Sequence, residues 1–529
     1  MDDSFAEVIR LLRLAQTGER EQALILADEQ LRAGESPGVL YARAVTLHSL
    51  GDHDGAARSA ERMLGLTAGT EMTGWRSIAL ALRAWQHLLL IDTNGQLFDL
   101  ESILHDLAEA EAMVSDGVFD GFVLSTAHTC LGNGYHELRL YELARPNFEA
   151  AFAAATARPD EIVVNRAVSS QLNLATMHLN WSMELHRIGD SGGSREKSVI
   201  AARHAAMAQE YATTDDTQSY ADHAGLLLAC AVSSFGNEGR EAEGIRDALK
   251  VLEGRGLRET RGYALPFLAR ALGRVGQHTE ALEVATQAIS ALPADATWMV
   301  ASAAYHTQAT LLVESGSDSA RAALAYGDQL AETMWRQRLR TLHDVRARQF
   351  VERVTQERDR IQVLANTDAL TGVGNRRAFD VRIAELAASD SDSAEVALIV
   401  VDVDRLKAVN DAGGHEAGDR ALQAVAGALT SQVRAGDLVA RLGGDEFVAV
   451  LVGMDRAAAG EVAQRMVDAV SAALSSTVTV SLGVATGPAA EAGSSLLRAA
   501  DRAMYAAKRS RRVVMTGSQP VVADQSRTG

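Results

Sequence analysis

Apolar positions in the first 325 residues recur at helical spacing. From residue 5 to about residue 330, Ala and Leu return every three or four positions, prolines are few, and polar and apolar residues almost never alternate. This period places apolar side chains on one face of a helix, whereas a half-buried strand would show a period of two. The pattern predicts an all-α domain over residues 1–325.

One phrase recurs within this helical region: a Gly, three or four polar residues, and an Ala that opens an amphipathic helix. It begins at Gly18 in "GEREQALILADEQL", at Gly51 in "GDHDGAARSAERML" and at Gly276 in "GQHTEALEVATQAI", and a looser copy begins at Leu140. The spacing of Gly18 and Gly51 is close to the ~34-residue period of tetratricopeptide repeats, which these stretches resemble. A non-repetitive helical bundle is the alternative. Either fold predicts a platform for an unknown protein or peptide ligand.

Residues 326–366 predict one long connecting helix. After Gly327 this segment has neither Gly nor Pro, and Arg and Glu are interleaved along it. An apolar stripe is offered by Leu339, Leu342, Phe350, Val354, Ile361 and Leu364. Arg346 and Gln349 interrupt the heptad pattern, so a dimerising coiled coil and a solvated spacer helix both fit the pattern.

After Thr367 the pattern changes to alternating strands and helices. "VALIVVDVD" at 396–404 has the length and β-branched content of a buried strand, and "DLVARL", "EFVAVLV" and "TVTVSLGVATG" predict further strands. Helices are predicted at 375–389, 416–433, 456–474 and 494–509. We therefore expect an α/β domain over residues 367–515 and a polar, disordered tail over residues 516–529.

Composition narrows the class of protein. A chain of 529 residues exceeds one core, and 47% hydrophobic with 23% charged residues is typical of globular domains. The formal charge of −18 disfavours binding to nucleic acid or anionic membranes. Cys130 and Cys230 lack metal or disulfide spacing and are expected to be core residues. The acidic start and the absence of a membrane-length apolar run predict a cytoplasmic protein without membrane insertion.

Candidate chemistry lies at two acidic segments of the α/β domain. Asp402 ends the predicted buried strand, where carboxylates can bind Mg²⁺ and phosphates, although an aspartate there can also cap a turn. "GGDEF" at 443–447 joins two predicted strands. Gly443 and Gly444 permit positive φ and lack Cβ atoms, so a ligand can lie against the turn, and Asp445 adds a second carboxylate.

These motifs carry a resemblance to a known family. "TDALTGVGNRRAF" at 367–379, "DVDRLKAVNDAGGHEAGD" from Asp402, "GGDEF", and "DRAMYAAKRSRR" at 501–512 stand in the order found in the GGDEF domain of diguanylate cyclases. That family condenses two GTP into cyclic di-GMP and releases pyrophosphate. The resemblance covers about the last third of the chain and implies a fold like the palm of nucleotide cyclases. It also implies a Mg²⁺ site, with Mn²⁺ as an alternative, at Asp402, the Val403 carbonyl and Asp445.

The same resemblance implies the catalytic and nucleotide contacts. Asp445 is the candidate base, with Glu446 assisting. Asn410 and Asp419 match residues that bind the guanine edge, and an aspartate there favours GTP over ATP because it accepts from N–H groups that adenine lacks. Other substrate contacts implied by the resemblance are Leu406, where the family often has Phe, Lys407 on the phosphate side, and Gly443 and Gly444 near the ribose and phosphates.

Two charged clusters have both a functional and a structural interpretation. Lys508 and Arg512 lie one helical turn apart and match a β/γ-phosphate clamp, although cations also cap helix C-termini through the helix dipole. Arg434 and Asp437 form an RxxD motif at the offset from Gly443 where many such cyclases have a product-inhibition site for cyclic di-GMP. The alternative for RxxD is a surface turn.

The chemistry predicts an oligomeric state. One domain binds one GTP, yet the reaction joins two, so the resemblance implies a homodimer with two facing domains, aligned by the connecting helix. The resulting hypothesis is a diguanylate cyclase regulated by its repeat domain and by product inhibition. Two alternatives are an inactive GTP or cyclic di-GMP receptor on a tetratricopeptide scaffold, and a protein-binding adaptor in which the cyclase domain is secondary.

Overall fold

The computed structural model describes most of the chain, in two units. The described residues are 3–16, 18–94, 98–116, 119–157, 163–214, 217–236, 239–253, 258–292, 298–388, 395–474, 478–488, 495–510 and 514–516. Met1–Arg353 form the first compact unit and Val354–Gly529 the second. In these described ranges no helix combines the length and apolar character needed to cross a membrane.

The first unit is helical throughout its described ranges, which confirms the predicted all-α domain. Its helices are α1 (Asp3–Gln16), α2 (Arg20–Ala33), α3 (Pro37–Ser49), α4 (His53–Thr67), α5 (Thr73–Asn94), α6 (Leu100–Asp116), α7 (Gly121–Glu137), α8 (Tyr141–Thr156), α9 (Val163–Arg187), α10 (Ser191–Tyr211), α11 (Gln218–Ser233), α12 (Glu241–Glu253), α13 (Arg258–Arg274), α14 (His278–Ser290), α15 (Trp298–Glu314) and most of α16 (Asp318–Asn366).

The same turn recurs between successive helices. At Gly51 the backbone has φ of 80°, and the amide of Asp52 donates to the carbonyl of Leu47 at 2.9 Å. This bond satisfies a carbonyl left over at the end of α3, and glycine adopts the required left-handed conformation without strain. Equivalent positive-φ glycines lie at Gly18, Gly189, Gly276 and Gly316. The recurring phrase therefore marks helix-to-helix turns, and its assignment to tetratricopeptide repeats stays a prediction.

Odd-numbered helices form a continuous layer. Helix α1 packs on α3, α3 on α5, α5 on α7 and α7 on α9, while the even-numbered helices pack on their neighbours in sequence. One apolar core lies mainly among α1 to α8 and a second among α9 to α15. Cys130 and Cys230 are buried in these cores, as predicted, and burial raises the pKa of each thiol to about 12.

Helix α16 is anchored to the first unit by its middle section. Arg338 is 3% exposed; its Nε donates to the Arg139 carbonyl at 2.6 Å, and its guanidinium pairs with Glu142. Leu342 and Val345 are buried in the first core. The helix predicted for residues 326–366 is thus the C-terminal part of a helix that starts at Asp318.

The predicted apolar stripe divides into a buried part and an exposed part. Leu342 is buried because α16 packs on the first unit there. Phe350, Val354, Ile361 and Leu364 are each more than half exposed, at 64%, 52%, 56% and 68%. These last four residues, called the exposed stripe below, are spaced by four, seven and three positions, which keeps them on one side of a helix.

The second unit is an α/β domain, as predicted. Its strands lie in the order β2-β3-β1-β4-β5, all neighbours antiparallel except β4 and β5. The strands are β1 (Glu395–Asp404), β2 (Leu438–Gly443), β3 (Glu446–Val452), β4 (Thr479–Pro488) and β5 (Val514–Thr516), and the helices are α17 (Arg376–Ala388), α18 (Leu406–Gly413), α19 (His415–Thr430), α20 (Arg456–Leu474) and α21 (Leu497–Ser510).

Two short elements were not predicted. Helix α18 follows β1 directly, and β5 adds a parallel edge to the sheet. Because β5 includes Thr516, the first residue of the predicted tail is part of the sheet. The rest of that predicted tail, residues 517–529, lies outside the described residues.

The two faces of the sheet hold separate apolar cores. Along β1, Ile399 and Val401 face a core shared with α19 and α20, whereas Leu398 and Val400 face a core shared with α17 and α21. Successive side chains of a strand point to opposite faces. Continuing this alternation places Asp402 on the face of the sheet that α21 covers.

Candidate active site

Acidic residues from two neighbouring strands meet a lysine of α21. Asp402 in β1 is paired in register with Glu446 in β3. The side chain of Asp402 accepts a hydrogen bond from Lys508 Nζ at 2.6 Å, with side-chain exposures of 11% and 44%. Strand alternation brings Asp402 to the face that α21 covers, and the helix then presents Lys508 to it.

The glycine turn closes the site on one side. Gly443 has φ of 149° and Gly444 has φ of 55°, both in the region that favours glycine. No atom lies within 4 Å of a Cβ built at either glycine, so the turn surface is open. The amide of Val403 donates to the carbonyl of Asp445 at 3.0 Å. The structure therefore places the three predicted metal-site residues, Asp402, Val403 and Asp445, around the junction of β1 with this turn.

Negative charge accumulates at this junction. The pKa of Glu446 is raised, first by burial and then by the nearby carboxylates of Asp402, Asp501 and Asp445. The pKa of Lys508 is also raised, first by its hydrogen bond to Asp402 and then by the surrounding acidic charges. Like charges held close together raise the cost of ionising each, so the site favours a bound cation.

The donor set fits a hard divalent cation. Within the described ranges no group of three or more His, Cys, Asp or Glu side chains is arranged to hold a metal ion. The predicted set needs only two carboxylates, Asp402 and Asp445, with a main-chain carbonyl, and all are oxygen donors of the kind that Mg²⁺ prefers. The charge repulsion that raises the pKa of Glu446 is relieved when such a cation binds.

Asp404 braces the end of β1. Its carboxylate accepts hydrogen bonds from Thr479 Oγ1 at 3.0 Å and from Ser481 Oγ at 3.1 Å, both on β4. The next residue, Arg405, has φ of 62° and begins the sharp change of direction into α18. Sequence reasoning did not identify Asp404 or Asp501; the alternation of β1, which puts Asp404 on the same face as Asp402, was the available signal for Asp404.

A second set of hydrogen bonds, made by Arg441, holds the glycine turn in place. Arg441 donates from Nε and Nη2 to the carbonyl of Gly444, at 3.0 and 2.7 Å, and from Nη1 to Asp368 at 3.2 Å. Although partial burial opposes it, hydrogen bonds from Thr371 and Arg441 hold the pKa of Asp368 below its ordinary value. Sequence reasoning missed Arg441, because only the fold brings residue 368 to the turn.

The predicted guanine contacts lie on α18 and α19. Asn410 lies on α18, and Asp419, which is exposed, lies near the start of α19. A Cβ at Gly418 would lie 1.9 Å from Asn410 Oδ1, so only glycine permits this approach. The close packing brings Asn410 against the residue next to Asp419.

The other predicted substrate residues are distributed around the same end of the sheet. Leu406 is half-buried against the core beneath α19, and Lys407 is exposed on α18. Lys508 reaches Asp402 as described. Arg512, the second residue of the predicted phosphate clamp, lies outside the described residues.

The RxxD motif forms a tight turn before β2. Asp437, whose side chain is 1% exposed, accepts hydrogen bonds from the amides of Arg434 and Val452, at 3.3 and 3.2 Å. Arg434 Nε lies 3.4 Å from Asp437, and its side chain is 60% exposed. Asp437 thus has a structural role in the turn, while Arg434 is accessible to a ligand.

We expect the Glu446→Gln variant to be more heat-stable than wild type at pH 7.5. The folded-state pKa of Glu446 lies above its ordinary value of 4.5, so ionisation costs stability as pH rises through that pKa. Because this side chain is largely exposed, the gain in melting temperature should be small, roughly 1–2 °C. This gain should vanish below pH 4.5, where Glu446 is protonated in both the folded and the unfolded protein.

Thermal melting at pH 7.5 and pH 4 measures this difference. Glu461→Gln, an exposed glutamate of α20 away from the site, is the matched control and should change little at either pH. A lower melting temperature of Glu446→Gln at pH 7.5 would contradict the expectation, because it would mean that the charged carboxylate stabilises the fold.

Comparison with known proteins agrees with this geometry. A family model described as "Diguanylate cyclase, GGDEF domain" matches residues 365–513. Over 157 residues the chain is 38% identical to the diguanylate cyclase DgcP of Pseudomonas aeruginosa, a match that covers 28% of this chain and 23% of that protein. Over 160 residues it is 40% identical to the diguanylate cyclase TpbB of the same species, covering 28% and 36%. The chain thus spans about a quarter to a third of the length of these curated relatives.

A solved structure also matches part of the chain. The coiled coil and GGDEF domain of DgcB from Caulobacter crescentus, in complex with c-di-GMP, is 30% identical, with a TM-score of 0.30, and the match covers 34% of this chain and 97% of that one. The matched residues include both acidic segments, the glycine turn and Lys508. By the family model and these relatives, residues 365–513 are a GGDEF domain similar to those of diguanylate cyclases.

Proposed function

We propose that the protein is a diguanylate cyclase that condenses two GTP into cyclic di-GMP. The observation that carries this proposal is the convergence of Asp402, Asp445, Glu446 and Lys508 beside an open glycine turn at one end of the sheet. An inactive receptor would have no need for a carboxylate cluster whose mutual repulsion costs stability. The DgcB structure solved with c-di-GMP supports a nucleotide ligand of this class.

Each domain would bind one GTP. Asn410 and Asp419 would bind the guanine edge, Gly443 and Gly444 would let the ribose and phosphates lie against the turn, and Lys508 would neutralise phosphate charge. Lys407 and Arg512 would add positive charge on the phosphate side, and Leu406 would support the triphosphate from below. Asp419 accepts hydrogen bonds, which suits the N–H groups of guanine and excludes adenine.

The bond changes follow from the facing arrangement of two domains. The 3′-oxygen of each GTP attacks the α-phosphorus of the other, the bond to the β-phosphate oxygen breaks, and two pyrophosphates leave. Asp402, the Val403 carbonyl and Asp445 would hold Mg²⁺ or Mn²⁺. When bound, the metal neutralises the triphosphate and makes the 3′-hydroxyl more acidic.

The turn carboxylates would receive the hydroxyl proton. Asp445 is the candidate base, and Glu446, whose pKa is raised by burial and by nearby carboxylates, would share or relay that proton. Arg441 and Asp368 keep the turn in place by holding the Gly444 carbonyl. Fixed donors and acceptors of this kind lower the barrier because they need not reorganise during the reaction.

Helix α16 and the product cyclic di-GMP would each regulate the cyclase activity. Helix α16 is continuous from the first unit, where Arg338 anchors it, to Asn366 at the start of the GGDEF domain. A ligand on the helical unit could therefore change how two domains face each other. Arg434, exposed beside Asp437, would bind the guanine of cyclic di-GMP in product inhibition.

Product analysis tests the function directly. Purified full-length protein is incubated with GTP and Mg²⁺, and in parallel with ATP, and the products are separated and identified by mass spectrometry. We expect cyclic di-GMP and pyrophosphate from GTP and neither a cyclic dinucleotide nor pyrophosphate from ATP. Binding of GTP or cyclic di-GMP by a dimer without turnover, in Mg²⁺ and in Mn²⁺, would overturn the proposal in favour of a receptor.

A further inference from the structure

A cavity of about 180 Å³ lies in the helical unit, far in sequence from the GGDEF domain. Its lining comes from five successive odd-numbered helices: Leu12 from α1, Tyr41 from α3, Trp85 from α5, Cys130 from α7 and Arg166 from α9 are examples. The layer of odd-numbered helices therefore forms one wall shared by five elements. A cavity of about 150 Å³ is enough to hold a benzene-sized molecule.

The cavity is cationic in a strongly acidic chain. The described residues of its lining include Arg13 and Arg166 and no Asp or Glu, although the whole protein carries a formal charge of −18. His48 in the lining is neutral at pH 7, because burial and then the neighbouring His53 lower its pKa to about 4. Burial also raises the pKa values of Tyr41 and Cys130, so neither supplies an anion.

Among the described residues, no acidic side chain forms an ion pair with Arg166. Its Nη1 donates to the Phe122 carbonyl at 3.3 Å and to Thr126 Oγ1, and the guanidinium lies 3.9 Å from the centre of the Phe122 ring. In the described ranges no carboxylate lies within ion-pair distance, since the nearby Asp120 caps α7 through the Val123 amide. The Arg166 side chain is half-buried, and desolvation lowers its pKa, while the neighbouring Tyr41 and Asp120 act in the opposite direction.

A second observation also points to a missing ligand group. The indole Nε1 of Trp85, which lines the cavity against the His48 ring, is buried and has no hydrogen-bond partner. Buried N–H groups are almost always paired in native proteins. The rest of the lining combines the apolar Ile9, Leu12, Val45 and Leu82, from three different helices, with the polar Thr129, Asn133 and Ser169.

We infer that this cavity is a binding site for a carboxylate carried on a compact apolar or aromatic body. Arg166 pairs with the carboxylate, because a guanidinium binds a planar anion with two parallel hydrogen bonds. Trp85 Nε1 donates a further bond, and the apolar side chains enclose the body. A single half-buried guanidinium suits a monoanion better than a phosphate dianion. The carboxylate can come from a free organic acid or from the C-terminus of a peptide, and the two share this chemistry.

Calorimetric titration of the full-length protein tests the site. The free-acid probes are 3-phenylpropionate and 4-methylpentanoate, each compared with its neutral amide. The peptide probes end in Phe or Leu, with either a free or an amidated C-terminus. We expect at least one acid to bind about 10-fold or more tightly than its amide, which is the effect of one charged hydrogen bond. Binding of the free acids alone, or of the peptides alone, identifies the source.

Variants locate the binding. Arg166→Gln should weaken acid binding about 10-fold or more while amide binding is unchanged, and Arg32→Gln, an exposed arginine on α2, should change neither. The comparison of acid with amide on the wild-type protein stands even when the Arg166 variant does not fold. If no acid or peptide binds, if amides bind as well as acids, or if Arg166→Gln retains acid binding, the inference is wrong.

Discussion

Replacing Asp445 with Ala should lower the rate of cyclic di-GMP formation by about 10²- to 10³-fold, the usual effect of removing one electrostatic partner of a transition state. Asp445 lies between the two glycines and the start of β3, where its carboxylate joins Asp402 and Glu446. It would serve both as a metal donor and as the base. Its loss therefore removes two functions at once, whereas GTP binding through Asn410 and Asp419 should persist.

The fold should survive this change. Within the described ranges the Asp445 side chain makes no hydrogen bond; its main-chain carbonyl, which accepts from Val403, is retained in the variant. Circular dichroism and melting temperature should therefore match wild type. Asp468→Ala, an exposed aspartate on α20, is the matched control and should keep full activity. An Asp445→Ala protein that still forms cyclic di-GMP at the wild-type rate would contradict the proposed site.

Placing a charge on the exposed stripe should separate the proposed dimer and remove the proposed cyclase activity. Val354, Ile361 and Leu364 are 52%, 56% and 68% exposed, and apolar side chains at this spacing are typical of a coiled-coil seam. Ile361→Asp would put two facing carboxylates in that seam, an arrangement that is strongly unfavourable. At about 1 μM protein we expect a monomer and a loss of activity of about 100-fold or more, because one domain holds only one GTP.

The same helix turn offers a matched control. Val363 is 64% exposed and lies roughly 180° around α16 from Val354, so Val363→Asp adds the same charge on the opposite side. It should leave both the dimer and the activity intact. Light scattering after size-exclusion chromatography gives the oligomeric state, and cyclic di-GMP is measured over a range of protein concentrations. Equal effects of the two variants, or a fully active Ile361→Asp dimer, would contradict a role for the stripe.

Local sequence patterns were sufficient to predict most elements of the fold. The apolar run at 396–404 became β1 (Glu395–Asp404), and the helix predicted at 456–474 was found with those bounds. The turn glycines were recognisable as well, because Gly443 and Gly444 satisfy a backbone requirement that is independent of distant residues. Helix α18 was missed because it has only eight residues, a length over which helical period is hard to detect.

The long helix shows where a local pattern misleads. Leu342 and Ile361 both belong to the stripe predicted from spacing, yet Leu342 is buried against the helical unit and Ile361 is exposed. Periodicity defines which side of a helix is apolar but not what covers it. The contacts that anchor Arg338 could not be predicted from the sequence either, because its partners Arg139 and Glu142 lie 199 and 196 residues earlier in the chain.

The sequence by itself determined the helical first domain, the α/β second domain and the acidic glycine turn, because each depends on the period or the conformational freedom of adjacent residues. Only the tertiary structure decided that Lys508 meets Asp402 across 106 residues, that Arg441 ties the turn to Asp368, and that five helices line one cavity with Arg166. These contacts depend on the directions in which distant side chains emerge once strands and helices have packed. No local sequence pattern predicts those directions, because the packing of the whole core determines them.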